Sequence, residues 1–166
     1  MKYIIDSNCF IEPHQGYCPT DVAISFWNKL KELYERDILY SLDKVKNELF
    51  EHEDDLKNWF KNNIDKNFFM TFDGEETTNQ LMRVINWANS SSHYNQNAKA
   101  KFTDSDKADM YLVAFASTNP NEWKVVSFER SEPNKQSNIK LPDACNAFGV
   151  SCIKLQDMFR EIGETF

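Results

Sequence analysis

Four acidic residues occupy positions from which they could meet in one site. Asp6 directly follows the apolar run YII, and Glu129 comes at the end of a second such run, VVSFE; both runs are typical of buried strands. Glu48 lies near the start of a helix predicted after another strand, and Asp109 lies in the first turns of an apolar helix. In a parallel sheet, strand ends and the starts of the helices that follow them share one edge. We therefore expect these four carboxylates to converge there.

A cluster of carboxylates indicates metal-dependent chemistry. Carboxylates that lie close together repel and raise each other's pKa, and hard divalent cations relieve this repulsion. Oxygen-only ligands suit Mg²⁺ or Mn²⁺, and the reaction served is in-line hydrolysis of a phosphodiester by metal-activated water. Asp106, one turn before Asp109, can be a further ligand or the N-cap of its helix. The sequence has no Ser-His-Asp or Cys-His set, P-loop or G-x-G-x-x-G pattern, so the rival chemistries lack their residues.

Composition narrows the class of protein. The 166 residues with 41% apolar content predict one domain, residues 1–166. The net charge of −7 argues against a general nucleic-acid coat, although it does not exclude an enzyme that acts on nucleic acid. The four cysteines show no C-x-x-C spacing, which predicts free thiols. With no long apolar stretch and no signal peptide, we expect a cytoplasmic protein outside the membrane.

Strands and helices are predicted to alternate along the chain. Five strands are expected near residues 2–5, 38–40, 68–72, 123–126 and 151–153. Helices are expected from Thr20 or Asp21 to about 34 and across 45–50, 56–60, 81–88, 104–115, 142–148 and 155–162, and the segments 13–19, 90–102 and 129–141 are expected to be loops. This alternation predicts an α/β fold with a mostly parallel sheet covered on both faces.

Several segments resemble a known family. The segment YIIDSN resembles the opening strand of PIN-domain ribonucleases, ADMYLVAFA their third-acid helix, and VVSFE their fourth strand. The segments SFWNKLKELYERDILYSLDKVKNEL and IKLPDACNAFGVSCIKLQDMF look closer to one uncharacterised PIN-like branch, called domain of unknown function 4411. The resemblance spans nearly the whole chain. It implies a three-layer α/β/α PIN-like fold with a central, mostly parallel five-stranded sheet.

The resemblance also implies roles for individual residues. The first to fourth family acids correspond to Asp6, Glu48, Asp109 and Glu129. The polar pair that braces the first acid corresponds to Ser7 and Asn8, and Ser127 matches a Thr that is usual in the family. Glu129 departs from the family, since most PIN domains have Asp there. Its extra methylene group moves the carboxylate, so that Glu129 can bind metal through water or support a second metal.

The function implied is that of a metal-dependent endoribonuclease using Mg²⁺ or Mn²⁺. Many small PIN proteins are toxins of bacterial toxin–antitoxin pairs, so RNA is the expected substrate and an antitoxin the expected partner, with a homodimer as one assembly. Arg130, Lys99 and Lys101, in loops that flank the third and fourth acids, are the candidate RNA contacts. The alternative is an inactive PIN-like binding module. A DNA-directed flap-type nuclease would need extra helical elements, which the sequence lacks.

Overall fold

The structure is a computed structural model that describes residues 1–51 and 54–166. Its strands are β1 (Lys2–Ile5), β2 (Leu39–Leu42), β3 (Phe69–Met70), β4 (Trp123–Val126) and β5 (Cys152–Ile153). Its helices are α1 (Asn8–Gln15), α2 (Ile24–Glu35), α3 (Asp43–Leu49), α4 (Asp55–Asn63), α5 (Glu75–Ser90), α6 (Gln96–Phe102), α7 (Asp109–Thr118), α8 (Leu141–Ala147) and α9 (Leu155–Ile162), with a 3₁₀ turn at Lys66–Phe68.

The five strands form one parallel sheet in the order β3-β2-β1-β4-β5. The chain first adds β2 and β3 on one side of β1 and then places β4 and β5 on its other side. The strand order therefore reverses between β1 and β4, which is the point where open α/β sheets bind ligands. Ile5 pairs with Val126, so these two strands end side by side. The expected α/β class and five-stranded parallel sheet are confirmed.

Helices cover both faces of the sheet. Successive strand residues point to opposite faces, and Tyr3, Ile4 and Ile5 are all buried. Helix α2 contacts β2, whereas α7 contacts β4 and is itself covered by α5 and α8. This layering fits a three-layer α/β/α arrangement, with α7 buried along Met110–Ala116. Among the described residues, no helix is both long and apolar enough to cross a membrane.

Two helices occur where the sequence predicts loops. Helix α1 occupies part of the segment assigned to a loop because of Pro13 and Gly16. Pro13 lies near its end, and the buried side chains of Cys9 and Phe10 anchor its first turn. Helix α6 lies in the polar segment 90–102. Its N-cap, Asn95, accepts a hydrogen bond from the backbone N–H of Ala98, as a capping side chain does.

Three predicted boundaries also shift. Helix α7 begins at Asp109 rather than at 104–106, because the carboxylate of Asp104 accepts from the N–H of Asp106 and closes a turn there. Helix α2 begins at Ile24, since the carbonyl of Pro19 accepts the two preceding N–H groups in a turn of its own. The third strand has only two residues. All four cysteines are free thiols, as predicted.

Candidate active site

Asp6 lies at the end of β1, at the point where the strand order reverses. Its side chain is buried, with 4% of the residue exposed. The backbone N–H of Asp6 donates to the carbonyl of Val126 at 3.0 Å, which extends the pairing with β4 by one residue. Oδ1 accepts from the N–H of Ser7 at 2.7 Å, and Oδ2 accepts from the hydroxyl of Ser127 at 3.2 Å. Both carboxylate oxygens are therefore held in place.

Ser127 organises the polar groups that follow β4. Its hydroxyl donates to Asp6 and accepts from Asn8 Nδ2 at 3.1 Å and from the N–H of Glu129 at 3.2 Å. A hydroxyl has one proton and two lone pairs, so its capacity is fully used. Asn8 also accepts, through Oδ1, from the N–H of Phe128 at 3.1 Å. Asn8 thus supports Asp6 through Ser127 rather than by direct contact.

Glu48 joins three helices at the same edge of the sheet. It projects from α3, and its Oε2 accepts from the hydroxyl of Ser7 at 2.6 Å. Its Oε1 accepts from the backbone N–H of Ala108, at the start of α7, at 2.9 Å. Ser7 occupies the N-cap position of α1 but makes no capping bond with its side chain, because its hydroxyl is directed to Glu48. Ser7 therefore connects Asp6, through its N–H, to Glu48.

Helix N-termini surround these carboxylates. Glu129 accepts, through Oε2, from the N–H of Leu141 at the start of α8 at 3.0 Å. Asp6 does the same with Ser7 at the start of α1, and Glu48 with Ala108 at the start of α7. The first N–H groups of a helix have no partner within it and carry partial positive charge. The fold thus supplies backbone donors to acids that would otherwise be costly to place together.

Asp109 differs from the other three acids. It is the first residue of α7, and no hydrogen bond from the described part of the chain reaches its carboxylate. Burial raises its pKa to about 7, with repulsion from Glu129 and Glu48 adding to the effect, while Lys101 and Lys107 oppose it. A carboxyl group with a pKa near neutrality and no hydrogen-bond partner among the described residues is a candidate ligand or acid–base group.

The pKa of Asp6 is also affected by neighbouring acids. Burial raises its pKa well above the usual range, and repulsion from Asp109 and Glu48 raises it further. The hydrogen bonds from Ser7 and Ser127 act in the opposite direction. Asp6 interacts with Asp109 and Glu48, and Asp109 with Glu129, so the structure brings the four predicted acids into one neighbourhood. We call these four carboxylates the acid cleft.

The acid cleft is not a preformed cation site. Within residues 1–51 and 54–166, no set of three or more His, Cys, Asp or Glu side chains is arranged to hold a metal ion directly. Both oxygens of Asp6, both oxygens of Glu48 and one oxygen of Glu129 are engaged by protein donors. The donor chemistry nevertheless suits Mg²⁺, which commonly binds through one or two carboxylates and keeps several waters. Asp109, which no donor among the described residues reaches, fits that role best, and Asp6 can join it through the lone pairs that its two donors leave free.

Two predicted site residues lie apart from this arrangement. Asp106 is exposed in the turn before α7, rather than one helical turn before Asp109, and its N–H donates to Asp104. It is therefore not an N-cap of α7. Lys99 is buried in α6, and its Nζ donates to the carbonyl of Asn89 at 3.1 Å. Its predicted role as an RNA contact is wrong, because its ammonium group is already bound inside the protein.

The other two candidate RNA contacts are exposed. Lys101 lies in α6 near enough to Asp109 to affect its pKa. Arg130 borders a cleft of about 550 Å³ that Glu129 and Asn8 also line.

One buried acid was not predicted from the sequence. Asp43 follows β2 directly, and its buried Oδ1 has no hydrogen-bond partner among the described residues. Its position at a strand end was the signal that could have identified it.

The chain belongs to a family defined by its sequence. Residues 3–166 match the family described as domain of unknown function DUF4411. Nearly the whole chain is therefore covered, in agreement with the resemblance seen in its first and last thirds. No curated protein and no solved structure matches the chain.

Proposed function

We propose that this protein is a metal-dependent endoribonuclease of the PIN-like type. The observation that carries the proposal is the location of the acid cleft. It lies where β1 and β4 end side by side and the strand order reverses, with Asp6 and Asp109 held at raised pKa. Like charges kept together at a ligand-binding edge are costly to stability, and a bound cation would offset that cost.

The individual residues have distinct roles in this proposal. Asp6 and Asp109 would hold Mg²⁺ or Mn²⁺ directly, and Glu48 and Glu129 would act through bound water. The cation would supply an activated water and offset charge on the phosphate oxygens. Ser7, Asn8 and Ser127 fix the acids through the hydrogen bonds described above. The ordered series of PIN-like motifs around Asp6, Asp109 and Glu129 supports the same assignment.

The first test is cleavage by the purified protein. We expect it to cut single-stranded RNA in the presence of Mg²⁺ or Mn²⁺ and to stop when EDTA is added, because the cation is the proposed source of the activated water. Labelled RNA resolved on a denaturing gel measures this. Cleavage that persists in EDTA would contradict metal catalysis, once a preparation of the Asp6→Asn variant has excluded a contaminating nuclease.

An inactive PIN-like binding module is the second candidate. It is favoured by the lack of a ready-made cation site among the described residues. Titration with Mn²⁺, followed by its paramagnetic effect on water relaxation, separates the two candidates. An enzyme should bind Mn²⁺ in a manner that Asp109→Asn abolishes, whereas a module without metal should show no such difference.

We further propose that the protein is the toxin of a toxin–antitoxin pair. An acid cleft attracts basic side chains, since Arg or Lys can offset its charge without a metal. An antitoxin that inserts such a side chain would compete with the cation for Asp6 and Asp109. The resemblance to PIN toxins points to the same kind of partner.

Growth of cells that express the chain alone tests the toxin assignment. Expression should slow growth, and Asp6→Asn should restore it, because the variant keeps the shape but lacks a ligand charge. Asp106→Asn, an exposed and matched change, should remain toxic. Immunoblots must show equal amounts of each protein. If the Asp6→Asn protein slows growth as much as the wild type, the toxin assignment is wrong.

A further inference from the structure

Three clefts adjoin one another beside the acid cleft, and Arg130 borders all of them. The first, of about 550 Å³, includes Glu129 and Lys140. The second, of about 540 Å³, extends past Phe128 to Tyr17, and the third, of about 310 Å³, lies between Glu129 and Lys154. Because these clefts share wall residues, they form one continuous open surface, which we call the Arg130 groove.

Two of the three cations that line this groove have no ion-pair partner among the described residues. Most Lys and Arg side chains of the protein are engaged in ion pairs, hydrogen bonds or ring contacts, such as Lys124 with Glu161. In the described part of the chain, no such partner is found for Arg130 or Lys154, and both are exposed. Unpaired cations beside a set of acids are electrostatically suited to a ligand that carries negative charge.

Two of the four acids on the groove walls, Glu132 and Asp157, form ion pairs with cations. Glu132 pairs with Lys135 at 3.0 Å and lies 3.8 Å from Lys140. Asp157 pairs with Arg160 at 2.6 Å. Glu12, exposed on α1, and Glu129 are the two wall acids for which the described residues provide no such pair. The groove therefore presents Arg130 and Lys154 as unpaired cations, next to two acids that no cation offsets within the described residues.

Tyr17 gives the groove an aromatic end. It is 101% exposed, so no described part of the protein covers its ring. It follows α1, which begins at Asn8 beside the acid cleft and has eight residues. A helix of that length spans about 12 Å, which places Tyr17 well beyond the acids along the same surface. An exposed ring at the end of a groove that holds two unpaired cations is suited to stack on a base.

We propose that a single-stranded nucleic acid occupies the Arg130 groove, with phosphates beside Arg130 and Lys154 and a base stacked on Tyr17. This proposal rests on the proposed nuclease function, for which the groove supplies the path of the substrate to the acid cleft. A single strand is favoured over a duplex, because a ring can stack only on a base that is unpaired or splayed out.

Binding without cleavage tests the groove directly. The Asp109→Asn protein in EDTA serves as the background, since it lacks the cation and repels phosphate less. Fluorescence anisotropy with a short labelled single-stranded RNA gives Kd as a function of salt. Tyr17→Ala, Arg130→Gln and Lys154→Gln are compared with Met82→Ala and Lys61→Gln, which alter exposed side chains that line none of the three clefts.

The two kinds of groove variant should differ in a measurable way. Tyr17→Ala should weaken binding by about tenfold without changing the salt dependence, because stacking releases no counterions. Arg130→Gln and Lys154→Gln should each weaken binding and reduce the slope of log Kd against log salt by about 0.7. The control variants should bind like the background protein. Single-stranded DNA of the same sequence reports whether the 2′-hydroxyl contributes, and equal binding would assign recognition to phosphates and bases alone.

Other results would overturn the groove. It is wrong if the three variants bind like the background protein, or if duplex RNA binds as tightly as the single strand. It is also wrong if the background protein binds no nucleic acid, in which case a protein partner becomes the expected occupant of the surface around Tyr17. If the protein cleaves RNA with metal but the groove variants bind RNA normally, the proposed RNA path is wrong and the proposed nuclease activity stands. If those variants lose binding but the wild type does not cleave RNA with any metal ion tested, the proposed nuclease activity is wrong and nucleic-acid binding in the groove stands.

Discussion

Asp6→Asn and Asp109→Asn should each reduce metal-dependent RNA cleavage by at least ~1,000-fold. A bound metal ion supplies several kcal/mol of transition-state stabilisation, and each ~1.4 kcal/mol corresponds to tenfold in rate. Either substitution removes one negative charge from the cation site and keeps the shape of the side chain. Initial rates on labelled single-stranded RNA at saturating Mn²⁺ measure the loss.

Asp106→Asn provides a matched control for this experiment. It makes the same chemical change three residues from Asp109, but in an exposed turn outside the acid cleft. We expect it to cut RNA at a rate near that of the wild type. Circular dichroism should show all three variants folded. If both cleft variants keep wild-type activity, or if Asp106→Asn loses as much activity as they do, the acid cleft is not the catalytic centre.

Asp109→Asn should also stabilise the metal-free protein at alkaline pH. The pKa of Asp109 is raised to about 7 in the folded protein, against 3.8 for an ordinary Asp. Between these values the folded state binds more protons than the unfolded state, so this group lowers the free energy of unfolding as pH rises. One pKa unit is worth about 1.4 kcal/mol. Because Asp109 is only half-buried, removing its charge should raise the free energy of unfolding at pH ~8 by less than the full shift, about 1–3 kcal/mol.

Thermal unfolding in EDTA at two pH values measures this effect. At pH ~8, Asp109→Asn should melt about 3–10 °C above the wild type, from the usual relation of stability to Tm in a domain of this size. At pH ~5 the difference should be smaller, because less of the interval between the two pKa values has been crossed, and it should vanish only below pH ~4, where the unfolded chain is protonated as well. Adding Mg²⁺ should raise the Tm of the wild type but not that of the variant. An equal difference at both pH values, or a lower Tm for the variant at pH ~8, would contradict the assigned pKa.

Regular elements could be predicted from the sequence where apolar spacing and end signals agree. Strand β4 and helix α9 have the predicted bounds, and α8 begins one residue before Pro142, as expected for a proline in the first turn. Helix α1 is not predicted from the sequence, because Pro13 and Gly16 favour turns over helices when only the neighbouring residues are considered. The packing of Cys9 and Phe10 against the core outweighs that preference.

The candidate site was only partly accessible to sequence reasoning. The positions of Asp6 and Glu129 follow from strand ends, and the supporting residues Ser7, Asn8 and Ser127 follow from the family resemblance. The bond from the N–H of Ala108 to Glu48 could not be foreseen, since it joins residues 60 apart through the packing of α3 and α7. The burial of Lys99 could not be predicted either, because the polar composition of residues 90–102 predicts a loop in place of α6.

The double role of Glu48 has an evolutionary consequence. Its carboxylate belongs to the acid cleft and also accepts a hydrogen bond from the N–H of Ala108 at the start of α7. That helix is buried along most of its length. A descendant that lost catalysis would still gain from an acceptor at position 48, and Gln could provide one. Asp109 has no partner in the described protein, and its charge opposes folding at neutral pH. Drift should therefore erase Asp109 before Glu48, so retention of Asp at position 109 would mark the lineages in which selection for a charged cleft persists.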